Sequence, residues 1–207
     1  MTRSNAREVA VHMIYELGFG SRSAEELLEH EMTRERFAQL GEEEPLYAQF
    51  PNEKQRQYIR DLVQGVYVHG PELDDYISRY SVGWSFARIP RMAAAVMRTA
   101  MYEVLYMPAI PNSAAINEAV EIAKNYEPAE VVSFINGILG SFVRAEFADS
   151  DFLRFVMDSE NADDYLEWCR SPGTDPSDES AEFYVEQTDI EQMDRQVMDD
   201  DSYGIWN

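Results

Sequence analysis

The sequence predicts an all-α fold followed by an acidic C-terminal extension. Through the first 144 positions, apolar residues recur at the three- and four-residue spacing of amphipathic helices. No stretch shows the sustained alternation of apolar and polar residues that is typical of a half-buried strand. Proline and glycine separate the helical segments, as expected of residues that begin and end helices.

The N-terminal part of the chain contains three predicted helices, at about 3–17, 23–40 and 52–69. Ser23 and Glu26 have the spacing of a capping box, which opens the second helix. The loop EEEPLYAQFPN follows it. The residues of the third helix predicted to face inward are Tyr58, Ile59, Leu62 and Val66.

Proline and glycine also divide the next part of the chain. The pair Gly70-Pro71 ends the third helix, and a short helix is predicted at 72–80. The segment GWSFARIP is a connector whose final proline fits the first turn of a helix that reaches Tyr106. After a proline-bracketed turn, two helices broken at Pro128 cover 115–140.

The net charge of −22 is concentrated in the C-terminal extension. Residues 145–207 contain 19 acidic and three basic residues, a net charge of −16, which leaves −6 for residues 1–144. We therefore predict a helical domain over 1–144 and an acidic tail over 145–207 that is partly helical or disordered. The global charge says little about what the helical domain binds.

The sequence lacks the signals of an enzyme, and we expect no catalytic residue, cofactor or metal site. The three histidines lie on different predicted helices without metal-ligand spacing, and no Gly-rich phosphate loop occurs. The single cysteine, Cys169, fits a reducing cytoplasm and lies in the acidic tail, where a thiolate is disfavoured. The longest apolar run, MAAAVM, is too short to cross a membrane.

The last predicted helix carries an aromatic residue beside its core face. At about 100° per residue, the core face contains Val131, Ile135, Ile138, Leu139 and Phe142. A second strip contains Glu130, Phe134, Gly137 and Ser141. Phe134 either packs at the rim of the core, with Gly137 at a helix–helix contact, or provides a stacking platform for an unpaired base. The periodicity leaves both interpretations open.

The first helix poses a similar choice. Its periodicity places Tyr15 almost opposite the core stripe, together with Glu8 and Val11, either incidentally or as the anchor of a protein contact. Arg3 and Arg7 lie one turn apart, and on their own they indicate only a solvated helix end.

Three blocks of the sequence, in order and in register, resemble the NusB family. The first is TRSNAREVAVHMIY, and the second is IRDLVQGVYVHGPELDDYISRY. The third and most specific is VMRTAMYEVLYMPAIPNSAAINEAVEIAKNYEPAEVVSFINGIL. Together the blocks cover about residues 3–143, and the tail matches nothing in the family.

The resemblance implies an all-α fold of two small helical bundles and a role as a transcription antitermination factor. It implies pairing with NusE, a ribosomal small-subunit protein, and binding to boxA-type RNA in ribosomal RNA leaders. Other Nus factors and RNA polymerase would complete the complex, and the resemblance implies no membrane partner. Some family members dimerise through the face that otherwise binds RNA, so a homodimer stays an open alternative.

The resemblance also implies roles for individual residues. The positions that match its RNA-facing surface are Arg3, Arg7, Tyr80, Arg98, Glu130 and Phe134, and Tyr15 matches a NusE-contact position. The chain departs from the family at its thin arginine-rich start and at Ala87 and Ala93, where some members carry acids that face NusE. These departures indicate weaker or retuned contacts.

Two other functions are compatible with the resemblance. NusB-like domains also occur fused to ribosomal RNA cytosine methyltransferases, although the 63 residues after Arg144 are too few and too acidic for such a domain. The second alternative is a protein-interaction scaffold with weakened RNA binding. The tail itself either solubilises the protein or competes electrostatically with RNA for the arginines of the helical domain.

Overall fold

A computed structural model describes residues 1–20 and 22–147 of the chain, and this part contains helices and no strand. The α-helices are α1 (Arg3–Leu17), α2 (Ala24–Glu31), α3 (Arg34–Leu40), α4 (Glu53–Val68), α5 (Gly70–Tyr80), α6 (Arg91–Tyr106), α7 (Asn112–Tyr126) and α8 (Ala129–Glu146). Two short 3₁₀ turns are at Pro45–Tyr47 and Phe86–Arg88. The all-α prediction is confirmed, whereas the predicted tail beyond residue 147 lies outside the described residues.

The helices pack as two groups that share one core. In the first group, α1 packs against α4 and α2. In the second group, α6 and α8 pack against each other, and each also packs against α5 and α7. Helix α6 also contacts α1 and α4, so it joins the two groups. Within the described residues, no helix is long and apolar enough to cross a membrane.

Local side-chain chemistry sets the starts of most helices. The Ser23 hydroxyl accepts a hydrogen bond from the Glu26 backbone N–H at 3.2 Å, and the Glu26 carboxylate accepts one from the Ser23 N–H at 2.9 Å. This reciprocal pair confirms the predicted capping box. Pro90, Pro111 and Pro128 immediately precede α6, α7 and α8, as their fixed φ angles favour.

The single helix predicted at 23–40 is wrong, because the chain breaks there into α2 and α3. Thr33 adopts an extended backbone conformation, and its hydroxyl accepts a hydrogen bond from the Arg36 backbone N–H at 3.2 Å. Thr33 is therefore the N-cap of a new helix. The break lets Phe37 of α3 enter the core, where it is buried.

Two glycines inside helices have opposite surroundings. A Cβ atom on Gly65 of α4 would lie 2.0 Å from Cζ of the Tyr102 ring on α6, so the glycine permits a close contact between these helices. A Cβ atom on Gly137 of α8 would have no neighbour within 4 Å in the described part of the chain. The suggestion that Gly137 allows a helix–helix contact is therefore wrong for these residues.

Alanine substitutions should separate these two roles. We expect Gly65→Ala to lower the free energy of unfolding by about 1–3 kcal/mol, because the methyl group overpacks the Tyr102 ring. Gly137→Ala should instead raise it by about 0.5–1 kcal/mol, the helix-propensity gain of an unobstructed site. Urea unfolding measures both, and similar effects of the two substitutions would contradict this assignment.

Candidate functional site

The two arginines near the N-terminus lie inside the fold. Arg7 is 0% exposed and Arg3 is 7% exposed, although both lie in the first two turns of α1. The prediction of a solvated, basic helix end is therefore wrong. Helix α1 packs between α4 and α6, so the face that carries these arginines is covered.

Arg7 forms the centre of a buried ionic cluster. Its Nε donates to both carboxylate oxygens of Glu103 at 3.0 and 2.9 Å, and its Nη2 donates to Glu103 Oε1 at 2.9 Å. Its Nη1 donates to Glu118 Oε2 at 3.3 Å. The Tyr58 hydroxyl also donates to Glu103, at 2.6 Å. In this conformation no external ligand reaches the Arg7 guanidinium, which instead ties α1 to α6 and α7.

Arg3 contributes to the same region through an aromatic ring. Its Cζ lies 4.9 Å from the centroid of the Tyr58 ring, within the range of a cation–π interaction. Burial raises the pKa of the Tyr58 hydroxyl well above its ordinary value, so this group stays a neutral hydrogen-bond donor to Glu103. Arg3 and Arg7 are thus neighbours across one tyrosine, away from a solvated surface.

Phe134 lies at the edge of the core, as the periodicity of α8 predicted. It is half-buried, and its ring centroid is 5.4 Å from that of Trp84, at an interplanar angle of 47°. Glu130, one turn earlier, is exposed and makes no ion pair or side-chain hydrogen bond within the described residues. Of the predicted core face, Ile135, Ile138, Leu139 and Phe142 are buried, whereas Val131 is only half-buried.

Tyr80 lies at the end of α5 and faces α8. Its hydroxyl donates a hydrogen bond to Glu146, and its ring centroid lies 6.1 Å from that of the buried Phe142. Burial and the bond to Glu146 raise the pKa of Tyr80 above its ordinary value, so the hydroxyl is protonated at neutral pH. This contact fixes the C-terminal end of α8 beside the connector that follows α5.

Arg98 is held by a bidentate ion pair. Its Nε and Nη2 donate to the two carboxylate oxygens of Asp74 at 2.6 and 2.9 Å. The guanidinium carbon also lies 5.6 Å from the centroid of the Phe86 ring. The side chain is 19% exposed, so part of the guanidinium fork is available to a ligand.

Tyr15 lines a cleft of about 210 Å³ between the C-terminal end of α1 and the start of α6. The Tyr15 ring meets the Phe19 ring edge-on, with 5.2 Å between their centroids, and Cζ of Arg91 lies 4.5 Å from the centroid of the Phe19 ring. Arg98 and Phe86 line the same cleft. Tyr15 therefore lies among exposed aromatic and cationic side chains, a composition that is enriched in protein interfaces.

One prediction about this face is wrong. Val11, which the periodicity placed outward with Tyr15, is 1% exposed, because α1 is covered on more than one side. Ala93, where the resemblance implies that some family members carry an acid facing NusE, is fully buried in α6. Ala87, by contrast, is exposed beside the cleft.

The described residues contain no group of three or more His, Cys, Asp or Glu side chains that could hold a metal ion. Tyr80, Arg98, Glu130 and Phe134 provide a hydroxyl group, a guanidinium, a carboxylate and an aromatic ring. These groups can bind a ligand through hydrogen bonds, charge and stacking.

Comparison with known sequences decides the family. The sequence profile of the NusB family matches residues 4–144. The chain belongs to the NusB family. The match spans all eight described helices, apart from the first residue of α1 and the end of α8.

Several curated relatives agree with this assignment. The chain is 39% identical over 151 residues to "Transcription antitermination protein NusB" of Acetivibrio thermocellus, which covers 73% of this chain and 94% of the relative. It is 39% identical over 144 residues to the protein of the same name from Syntrophotalea carbinolica, covering 69% and 92%. These names describe a transcription protein, which confirms the prediction that the chain is not an enzyme.

The fold matches a solved NusB structure. T. maritima NusB superposes with a TM-score of 0.59 at 27% sequence identity, over 70% of this chain and 92% of the other. The part of this chain beyond the NusB match is the acidic C-terminal region.

The NusB residues predicted from the sequence fall into three places. Arg3 and Arg7 are in the buried cluster, Tyr15 and Arg98 line the cleft, and Glu130 and Phe134 lie on α8, against whose C-terminal end Tyr80 packs. The connector between α5 and α6 links the last two places, because its Trp84 contacts Phe134 and its Phe86 contacts Arg98. The sequence alone identified this segment only as a connector between two helices. The signal that was missed is the pair of aromatic residues, Trp84 and Phe86, in a short segment that is mostly exposed.

Proposed function

We propose that this NusB-family protein is a transcription antitermination factor that pairs with NusE and binds boxA-type RNA. The observation that carries the proposal is the family match over nearly the whole helical domain, with relatives named for antitermination. The complex would include RNA polymerase and other Nus factors and would act in the cytoplasm. In the absence of RNA, the alternative to a monomer is a homodimer in which the RNA-binding face is covered.

The chemistry of the α8 edge favours single-stranded RNA. A half-buried aromatic ring such as Phe134 is held rigid by the core and still offers surface on which an unpaired base stacks. Glu130, one turn before Phe134, offers a carboxylate acceptor to base N–H groups. Arg98, which lies in the cleft beyond the connector, offers the part of its guanidinium that is not bound to Asp74 to a phosphate or a base edge. These groups differ in kind and complement one another.

Removal of the Phe134 ring should weaken RNA binding. Base–aromatic stacking contributes about 1–3 kcal/mol per base, so Phe134→Ala should raise the Kd for a boxA-type RNA by about tenfold or more. Fluorescence anisotropy of labelled RNA, with cognate NusE present, measures the change. Tyr67→Ala is the matched control, because Tyr67 is a 53% exposed aromatic residue on α4.

The experiment also tests the interpretation of Phe134 as a core-rim residue. In that case Phe134→Ala would lower the melting temperature and leave the Kd of the folded protein unchanged. A full-length protein that binds NusE but no RNA, at low as well as high salt, would favour the protein-interaction scaffold.

Tyr15 is proposed as an anchor for NusE at the cleft. Tyrosine buries a large area at low entropic cost and is enriched among the residues that dominate binding energy. Tyr15→Ala should therefore weaken NusE binding by about tenfold or more, with RNA binding by the isolated protein little changed. Calorimetric titration with NusE measures it, and unchanged NusE affinity with a large drop in melting temperature would place Tyr15 in the core instead.

A further inference from the structure

Trp84 is a large aromatic side chain that the fold leaves in solvent. It lies in the connector between α5 and α6, directly after Gly83, whose φ of +81° makes a turn that favours glycine. The indole is 56% exposed. An exposed tryptophan beside a functional surface is a stronger indication of binding than an exposed aliphatic residue, because its area is large and rigid.

The connector does not need the indole to hold its shape. The Trp84 backbone N–H donates to the Ser81 carbonyl at 3.0 Å, and the Ser81 hydroxyl is 3.4 Å from the Trp84 carbonyl. Both contacts use backbone atoms of Trp84 and would survive replacement of its side chain. The one ring contact of the indole within the described residues is with Phe134.

This contact places Trp84 next to any base that stacks on Phe134. The two ring centroids are 5.4 Å apart and the planes are inclined by 47°, so the rings form an open angle and do not cover each other face to face. The indole face is the more exposed of the two. Gly137, less than a turn beyond Phe134, leaves the adjacent helix surface without a side chain.

We propose that Trp84 and Phe134 together form a two-ring stacking site for one unpaired RNA base. The inference deepens the proposed function and rests on it. Charge on the same segment favours a nucleic acid over an apolar protein segment: Arg88, four residues after Trp84, is exposed and has no ion pair within the described residues. Aromatic rings combined with arginine side chains on the same surface segment are a common means of binding single strands.

Glu130 narrows the class of base at this site. A carboxylate only accepts hydrogen bonds, so it favours a base edge that presents N–H groups, and two adjacent donors suit its two oxygens best. The Watson–Crick edge of guanine has such a pair, whereas that of uracil has one N–H between two carbonyl groups. We therefore expect a purine with an amino group, guanine above all, to occupy the two-ring site.

The indole itself provides the readout. The chain has three tryptophans, and the double variant Trp168→Phe/Trp206→Phe leaves Trp84 as the single tryptophan, whose emission is excited selectively over that of tyrosine at the red edge of its absorption. Titration of this full-length variant with a boxA-type RNA should quench and shift the Trp84 emission as the base stacks. The same titration with an RNA in which each guanine is replaced by uracil should need a higher RNA concentration to reach half of the fluorescence change.

Substitutions then measure the contribution of the ring. Trp84→Ala should raise the Kd for RNA by about tenfold, and Trp84→Phe, which keeps a stacking face, should recover most of that loss. Tyr67→Ala again serves as the control for an exposed aromatic residue elsewhere. Melting temperature and NusE affinity are measured for every variant and should match the parent protein.

The outcomes separate this inference from the proposed function. If the parent protein binds RNA while Trp84→Ala binds equally well and the Trp84 emission does not change, the two-ring site is wrong and the proposed function stands. If Trp84→Ala weakens NusE binding and leaves RNA binding intact, the residue contacts protein and the inference is overturned. If the parent protein with NusE binds no RNA, both fail.

Discussion

Replacement of Arg7 by alanine is expected to lower the free energy of unfolding by about 3–5 kcal/mol, since it leaves a buried carboxylate without its guanidinium partner. Arg7 is fully buried, and its three donors all point to Glu103 and Glu118. Both glutamates are themselves buried, so water cannot replace the lost contacts without a local rearrangement. For a chain of this size, the melting temperature should fall by roughly 10 °C.

A surface ion pair gives the matched control. Arg22 donates to Glu16 at 3.2 Å, and both side chains are about 40% exposed. Its Nη1 also lies 3.9 Å from Glu31, but Glu31 keeps Arg36 as its closer partner at 2.8 Å, so Arg22→Ala should cost less than about 1 kcal/mol. The loss of stability caused by Glu103→Gln should lie between those of Arg7→Ala and Arg22→Ala, because glutamine keeps the shape of glutamate and removes its charge. Thermal unfolding of all three variants establishes the order, and equal effects of Arg7→Ala and Arg22→Ala would contradict a buried cluster.

The same variant tests the role that the family resemblance implies for Arg7. Direct contact between Arg7 and RNA stays a prediction, but the burial of the guanidinium favours a positioning role for α1. We therefore expect RNA affinity, measured where Arg7→Ala is still folded, to match that of the parent. A loss of RNA affinity without a loss of stability would instead show that Arg7 leaves the cluster to bind RNA.

Helix boundaries were largely predictable, because caps and prolines act within a few residues. The capping box at Ser23 and the breaks at Gly70 and Pro128 are local signals of this kind, and the structure has each of them. The break before α3 was missed because a capping threonine inside a polar segment competes with a continuous helical pattern. Thr33 followed by Arg36 lacks the acidic partner of a full capping box.

The burial of Arg7 was not predictable from local pattern, because its partners lie 96 and 111 residues away. One indication was present: Arg3, Arg7, Ala10 and Ile14 lie at i, i+4, i+7 and i+11 and thus share a face. Two buried glutamates on other helices turn that face into an ionic contact. The pairing depends on how α1, α6 and α7 are placed together, which helical periodicity alone does not specify.

Replacement of Phe142 by alanine should have an effect as large as that of Arg7→Ala, for a different reason. Phe142 is fully buried in α8, and its ring centroid lies 5.1 Å from that of Tyr76 and 6.1 Å from that of Tyr80 on α5. Loss of a buried phenylalanine ring costs about 3–5 kcal/mol, through lost transfer energy and the cavity that remains. Urea unfolding should show this loss, while Phe142→Leu, which keeps most of the volume, should cost about 1.5 kcal/mol or less.

The consequence for binding follows from what Phe142 holds in place. It packs α8 against α5, and these two helices carry Phe134 and lead into the connector with Trp84. A looser α8 separates the two rings, so Phe142→Ala should weaken RNA binding at temperatures where the protein is still folded, although Phe142 is out of reach of any RNA. NusE binding at the Tyr15 cleft, which α1 and α6 line together with the end of the connector, should change less, because Tyr15 itself lies on α1. Equal losses of RNA and NusE affinity would mean that the variant disrupts the whole fold and not the α5–α8 contact.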